Sequence, residues 1–180
     1  MSKIDESRPF IPLKIAVLTV SDTRNIEDDK SGAVLEARLT QAGHVLAERA
    51  IVTDDVAQIR AQVKKWIADP SVDVVITTGG TGFTGRDVTP EALEPLFEKV
   101  MDGFSAIFHR ISYDKIGTST IQSRATGGVA NATFIFALPG SPGACRDAWD
   151  RILLSQLDYR HQPCNFVEIA PRLDEHLKRK

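Results

Sequence analysis

Residues 77–87 read Thr-Thr-Gly-Gly-Thr-Gly-Phe-Thr-Gly-Arg-Asp, with four glycines in the seven positions 79–85. Glycine lets a backbone approach a ligand closely and turn several N–H groups toward one anion. Thr78, Thr81 and Thr84 add hydroxyls. Phosphate is the natural guest of such a loop; the alternative is a glycine-rich turn that holds nothing. Gly80-Thr-Gly82-Phe-Thr-Gly85 spells G-x-G-x-x-G, which alone is weak evidence for a dinucleotide. The helix of a dinucleotide fold should open inside that motif, whereas here Pro90 marks a helix start several residues later. Neither Tyr113 nor Tyr159 is followed by a lysine four residues on, as short-chain reductases require, and no Gly-Lys-Ser/Thr occurs for a Walker loop.

Two carboxylates accompany the loop. Asp87 closes it, and Asp54 follows an apolar run at 44–53. Beside a phosphate loop such a pair suits Mg²⁺ bridging a polyphosphate. The competing roles are ordinary: Asp54 or Asp55 as helix cap, Asp87 as turn former or partner of Arg86. Pro139-Gly-Ser-Pro-Gly143 links another apolar run to a helix and is either a rigid turn or an anion contact at a helix start. The histidines at 44, 109, 161 and 176 show no metal spacing. Cys145 sits on an apolar helical face and reads as core, and Cys164 lacks a histidine pattern for nucleophilic work. Ser123-Arg124 could meet a phosphate, although a surface arginine is commoner. Lys178-Arg-Lys180 reads as a solvated tail.

The elements that must position these residues follow from apolar spacing. Lys14–Val20 is a near-continuous apolar run, hence a buried strand. Ser31 is the expected cap of a helix with Val34, Leu35, Leu39 and Ala42 inward, and Gly43 stands where a glycine ends it. A second strand falls within 44–53. Asp55 and Gln58 form a capping-box pattern for a helix with Val56, Ile59, Val63, Trp66 and Ile67, running to about Asp69 before Pro70. Val72–Thr78 is the third strand. Thr89-Pro90 starts a helix with Thr as cap and Leu93, Leu96, Phe97 and Val100 buried. Phe104, Ile107, Phe108 and Ile111 mark another. Residues 117–132 suit a functional loop and an edge strand, and Thr133–Leu138 is a late strand. A helix follows with Cys145, Ala148, Trp149, Ile152 and Leu153 inward, and the tail after Leu157 is expected to be peripheral.

Strands alternating with helices predict an α/β fold with a mostly parallel sheet between helical layers. Ligands of such sheets lie beyond the carboxyl ends of the strands. Ser21-Asp22, Thr78–Asp87 and Pro139–Gly143 each follow an expected strand directly, which argues for one shared site.

Composition sets the limits. A chain of 180 residues and 19.8 kDa fits one domain able to bury roughly 70% of its unfolded surface without disulfides. Hydrophobic residues at 42% and charged residues at 26% are ordinary for a globular protein and argue against disorder. A net charge of −2 gives no strong positive field for nucleic acid or an anionic membrane, although it leaves room for a local basic patch. Two cysteines exclude a disulfide scaffold and favour a reducing interior. Met1–Pro12 lacks the apolar core of a signal peptide, and no run is long enough to span a bilayer, so a cytoplasmic protein is expected.

Thr78-Gly-Gly-Thr-Gly-Phe-Thr-Gly-Arg-Asp-Val-Thr-Pro-Glu-Ala92 together with Leu138-Pro-Gly-Ser-Pro-Gly-Ala144 resembles the molybdenum cofactor biosynthesis family of MogA and MoaB, also seen in gephyrin-like proteins. The resemblance spans about residues 12–167, and Ile116–Arg124 with Pro163-Cys-Asn-Phe166 is closer to the MoaB branch. It implies a three-layer α/β/α, molybdopterin-binding domain over 13–167, with a flexible segment 1–12 and a polar tail 168–180. It implies a homotrimer or homohexamer, and other molybdenum cofactor enzymes as partners. It further implies binding of molybdopterin, a pterin carrying a dithiolene and a phosphate, and adenylylation of that phosphate by Mg-ATP with release of pyrophosphate. The family's functional aspartates match Asp54 and Asp87, the catalytic and Mg²⁺-holding pair. Its binding loops match Thr78, Gly79, Gly80, Thr81 and Gly82, and Pro139, Gly140 and Ser141, with Ser21, Asp22 and Ser123 as further contacts. The usual Pro-Gly-Asn-Pro-Lys is here Pro-Gly-Ser-Pro-Gly, which removes a lysine at Gly143. Retention of both aspartates favours catalysis, the other reading being a non-catalytic pterin-binding carrier or scaffold.

Overall fold

A computed structural model describes residues 3–178. Chain order is β1 (Lys3–Ile4), β2 (Lys14–Val20), α1 (Lys30–Gln41), β3 (Val45–Val52), α2 (Val56–Ile67), β4 (Val74–Thr78), α3 (Thr89–Leu93), β5 (Lys99–Val100), α4 (Asp102–Ile116), β6 (Thr126–Ala130), β7 (Thr133–Leu138), α5 (Pro142–Ala148), α6 (Leu154–Gln156), β8 (His161–Gln162), α7 (Phe166–Ile169) and α8 (Glu175–Lys178). The main sheet runs β3-β2-β4-β7-β6-β5. Its first four strands are mutually parallel, and β6 and β5 are antiparallel additions.

Period-2 alternation splits the apolar strands between two cores. Ile15, Val17, Val74, Ile76, Phe134 and Phe136 pack against α1, α4, α5 and the helical turn Trp149–Leu153 that continues α5, through Leu35, Leu39, Phe104, Phe108, Cys145 and Trp149. Ala16, Leu18, Val75, Ile135 and Ala137 face α2 and α3 through Ile59, Val63, Trp66 and Leu93. The result is the three-layer α/β/α arrangement. From β2 the chain winds outward to β3 and then back across to β4, so the strand order reverses between β2 and β4. The carboxyl ends of those two strands are where a crevice opens in doubly wound sheets. They carry Ser21 and Gly79.

Several local expectations are corrected. Asp29, not Ser31, caps α1, its carboxylate accepting from Gly32 N–H at 2.9 Å. The Ser31 hydroxyl instead donates to Gly140 O at 2.8 Å. Thr89 lies inside α3 and Val88 takes the cap position. Helix α2 stops at Ile67 and β4 starts at Val74. Val100 belongs to a two-residue strand and is exposed, as is Ile107. The edge beyond β6 is occupied by β5. Residues after Leu157 are not simply peripheral: His161–Gln162 pairs antiparallel with Lys3–Ile4, and Phe166 packs on Phe134 and Phe136. Of the segment 1–12 expected as flexible, Lys3–Ile4 thus form a strand, and residues 1–2 lie outside the described residues. The same segment also supplies Phe10, whose ring lies 5.2 Å from that of His44. The basic run Lys178–Lys180 extends outside the described residues. Among the described residues no helix is long and apolar enough to cross a membrane.

Candidate functional site

A cleft of about 640 Å³ opens at the carboxyl ends of β2, β3, β4 and β7. Its first wall is the glycine loop. Gly79 has φ +98°, and a Cβ there would lie 2.3 Å from the backbone oxygen of Val20. Gly80 has φ +62°, with a Cβ meeting Thr89 Oγ1 at 2.5 Å and Asp54 Oδ1 at 2.8 Å. Only glycine satisfies both demands at Gly79, a left-handed backbone and direct contact with a neighbouring strand. The loop is then tied down from two sides. Thr89 donates its hydroxyl to Gly79 O at 2.8 Å and its N–H to Gly80 O at 2.9 Å. Arg124 donates from Nε to Thr81 O and Gly82 O, both at 3.1 Å, and from Nη2 to Asp87 O at 3.1 Å. It also pairs with Glu91 and stacks over the ring of Phe83. The residue that reads as a phosphate contact or a surface arginine is therefore the clamp of the loop.

The two aspartates stand in the same cleft in unlike surroundings. Asp87 Oδ2 accepts from Thr84 N–H at 2.9 Å and from the Thr84 hydroxyl at 2.5 Å. Burial pushes its carboxyl up. The Thr84 and Gly82 hydrogen bonds and the Arg124 charge outweigh that and hold it below the ordinary aspartate range. Asp54 sits in the β3–α2 turn, where the cap role falls to Asp55, which accepts from Gln58 N–H at 2.8 Å. Burial, and then the charge of Asp22, raise the Asp54 carboxyl above its usual value despite Arg86 nearby. Arg86 does not partner Asp87. It forks onto Asp22 at 2.7 and 2.9 Å, and Asp22 also accepts the Asp54 N–H at 3.1 Å.

The adjoining wall is the Pro139–Pro142 turn. Gly140 packs against Gly79, its own Cβ position 3.1 Å from Gly79 Cα. The Gly140 carbonyl accepts from Ser31 and from Arg24 Nη1, the latter at 3.2 Å. Ser141 caps α5 by accepting from Ala144 N–H at 3.1 Å. Beneath the turn Thr78 donates to Pro139 O at 3.0 Å and meets Cys145 Sγ at 3.2 Å. Burial pushes the Cys145 thiol up to about 11, so it is core and no nucleophile.

The cleft thus gathers Ser21, Gly79, Gly80, Thr81, Gly82, Asp54, Asp87, Ser123, Pro139, Gly140 and Ser141. Two of the expected contacts do not line it. Thr78 is fully buried under the floor, and Asp22 stands behind the wall as the anchor of Arg86. Sequence reasoning missed Arg24 and Arg86 as lining cations; the Gly-Arg-Asp turn contains the second, and the first follows the Ser21-Asp22 motif by two residues. Among the described residues no group of three or more His, Cys, Asp or Glu side chains could hold a metal ion. Mg²⁺ commonly takes only one or two carboxylates, with waters and substrate phosphates completing its shell. The hard oxygen donors of Asp54 and Asp87 fit that demand.

A family model described as a probable molybdopterin binding domain matches residues 16–159. Molybdenum cofactor biosynthesis protein B of Escherichia coli (strain K12) is 54% identical over 160 residues, covering 89% of this chain and 94% of the relative. The protein of the same name from Bacillus subtilis (strain 168) is 42% identical over 146 residues, covering 81% and 86%. A crystal structure of molybdenum cofactor biosynthesis protein B superposes with a TM-score of 0.84 at 38% identity, covering 93% of this chain and 99% of that one. The tungsten cofactor synthesizing protein MoaB from Pyrococcus furiosus gives 0.71 at 34%, covering 79% and 91%.

Proposed function

We propose, from the premise that this chain belongs to the probable molybdopterin binding domain family, that it serves molybdenum cofactor biosynthesis by binding molybdopterin and transferring the adenylyl group of ATP to it. One observation carries the reading. The Gly79–Gly82 loop, the Pro139–Ser141 turn and both aspartates line a single cleft large enough for a nucleotide.

In this reaction an oxygen of the pterin's phosphate attacks the α-phosphorus of ATP. The bond from that phosphorus to the bridging oxygen breaks, and pyrophosphate leaves. Such a transfer needs positioning and charge neutralisation more than a protein nucleophile. The site has that character: glycine amides, threonine and serine hydroxyls, two acids, and a cysteine with its thiol held protonated by burial. Asp54 and Asp87 would hold Mg²⁺, which supplies positive charge against the triphosphate. Purified protein with molybdopterin, Mg²⁺ and ATP should yield adenylylated pterin and pyrophosphate, and Asp87→Ala should abolish it. Molybdopterin binding without turnover at saturating ATP would select the carrier or scaffold reading instead, which the absent lysine at Gly143 favours.

The same reading makes the protein a cytoplasmic homotrimer or homohexamer. Exposed Phe83, Val100 and Ile121 support self-association. Light scattering should give a mass of three or six times 19.8 kDa.

A further inference from the structure

We propose that Arg24 forms a polyphosphate subsite, the seat of the β- and γ-phosphates of the nucleotide and of the pyrophosphate that leaves. The inference rests on the reading of the cleft as a nucleotide site. A nucleoside triphosphate brings about four negative charges into a cleft already holding two aspartates. Its two lining cations are Arg24 and Arg86. Arg86 is committed, both branches of its fork closing on Asp22 at 2.7 and 2.9 Å. Arg24 has no carboxylate partner among the described residues. Its Nη1 donates to Gly140 O at 3.2 Å and approaches Ser31 Oγ at 3.5 Å. Those contacts set the guanidinium against the Pro139–Ser141 wall and leave most of its five N–H donors for a ligand. Its backbone is fixed as well, the Arg24 N–H donating to Ser21 Oγ at 3.2 Å.

Backbone groups extend the seat. The N–H groups of Gly80, Thr81, Gly140 and Ser141, on the two adjoining turns, find no protein acceptor among the described residues. Unsatisfied amides on adjoining turns suit anionic oxygens, and guanidinium pairs with phosphate in a fork that lysine cannot copy. The two aspartates of the cleft repel a bare polyphosphate, and Arg24 is its lining cation without a carboxylate partner among the described residues, so the side of the cleft that Arg24 occupies is where the tail phosphates belong. Departure of pyrophosphate leaves its new charge on that side, where Arg24 neutralises it.

Calorimetric titration of the intact protein with inorganic pyrophosphate, without added metal, tests the subsite apart from turnover. The native protein should bind pyrophosphate. Arg24→Gln should weaken pyrophosphate and ATP by about tenfold or more, the worth of a charge-assisted hydrogen bond, and leave AMP within about twofold. Arg24→Lys should recover part of the loss. Circular dichroism establishes that each variant is folded; if Arg24→Gln is not, Arg24→Lys must itself lose pyrophosphate more than AMP. No pyrophosphate binding by the native protein, no loss in the variants, or equal loss for AMP and pyrophosphate would overturn the proposal. If the chain never adenylylates a pterin but shows the expected binding pattern, the adenylylation reading falls and the subsite stands.

Discussion

Asp87 and Asp54 are the same residue in the same cleft, yet their surroundings differ in kind. Asp87 is held by Thr84 and by the Gly82 amide inside a loop that Arg124 and Thr89 tie to the body of the fold. Asp54 lies on a short turn after β3, half-buried and repelled by the charge of Asp22, and burial and that repulsion outweigh the Asp22 backbone amide and the Arg86 charge that favour its ionised form. Hydrogen bonds to the ionised form keep the first acid ionised, and burial with a like charge makes the second reluctant to ionise. Within the proposed reaction the difference divides the labour. Asp87 would be the fixed charge, and Asp54 the carboxylate free to meet a cation or orient the incoming phosphate.

The strongest way to break this contrast is to unseat the loop itself. Gly79→Ala places a Cβ 2.3 Å from a backbone oxygen at φ +98°. Backbone on both sides leaves no rotamer to relieve it, so strain and clash together should cost at least about 3 kcal/mol. Denaturant unfolding should show that loss, with activity gone. Next in size come the acids. Asp87→Ala orphans the Thr84 and Gly82 donors and should cost about 1–3 kcal/mol of stability as well as activity. Asp54→Asn removes a charge that the fold resists and should remain within about 0.5 kcal/mol of native stability while losing turnover. Equal destabilisation by the two substitutions would erase the distinction drawn between them.

What was legible in the sequence tracks the range of the forces. Strands β2 and β7 fall at the residues expected, 14–20 and 133–138, because continuous apolar runs between turn residues specify buried parallel strands locally. The convergence of Ser21, Gly79–Gly82 and Pro139–Ser141 followed from fold class alone. The misread positions are those whose partners lie far along the chain. Ser31 has the chemistry of a cap, but its hydroxyl goes to Gly140, and Asp29 is drawn into the cap position by Thr19 and Arg49 as well as by Gly32. Thr89 likewise spends its hydroxyl on Gly79. Arg124 reaches back to Thr81 and Gly82, and Arg86 to Asp22, across intervals that no local pattern encodes.

Protonation sharpens the comparison with a smaller effect. Asp54, its carboxyl raised chiefly by burial and then by Asp22, costs stability once ionised and should be the acid that limits activity as pH falls. Asp87, its carboxyl lowered, contributes stability that is present at neutral pH and is lost as pH falls through its lowered pKa, below the Asp54 limb. Asp22→Asn removes the like charge and releases Arg86. The acid limb of kcat/KM should therefore move to lower pH, and a limb that stays in place would assign it to another group.

The smallest expected effect concerns the helix turn that follows the Pro139–Pro142 wall. Gly143 has no left-handed backbone, and a Cβ there would have Ser141 Oγ as its nearest neighbour at 3.9 Å. It lies in the first turn of α5, where alanine is the better helix former. Gly143→Ala should raise stability by about 0.5 kcal/mol and leave turnover unchanged. The two glycines, Gly79 in the cleft and Gly143 in the helix turn just outside it, would then respond with opposite sign. A loss of activity in Gly143→Ala without loss of stability would instead mean that substrate uses the open space beside Ser141. The Pro139–Gly143 turn would then share in recognition as closely as the Gly79–Gly82 loop, and the asymmetry between the walls would be one of stability alone.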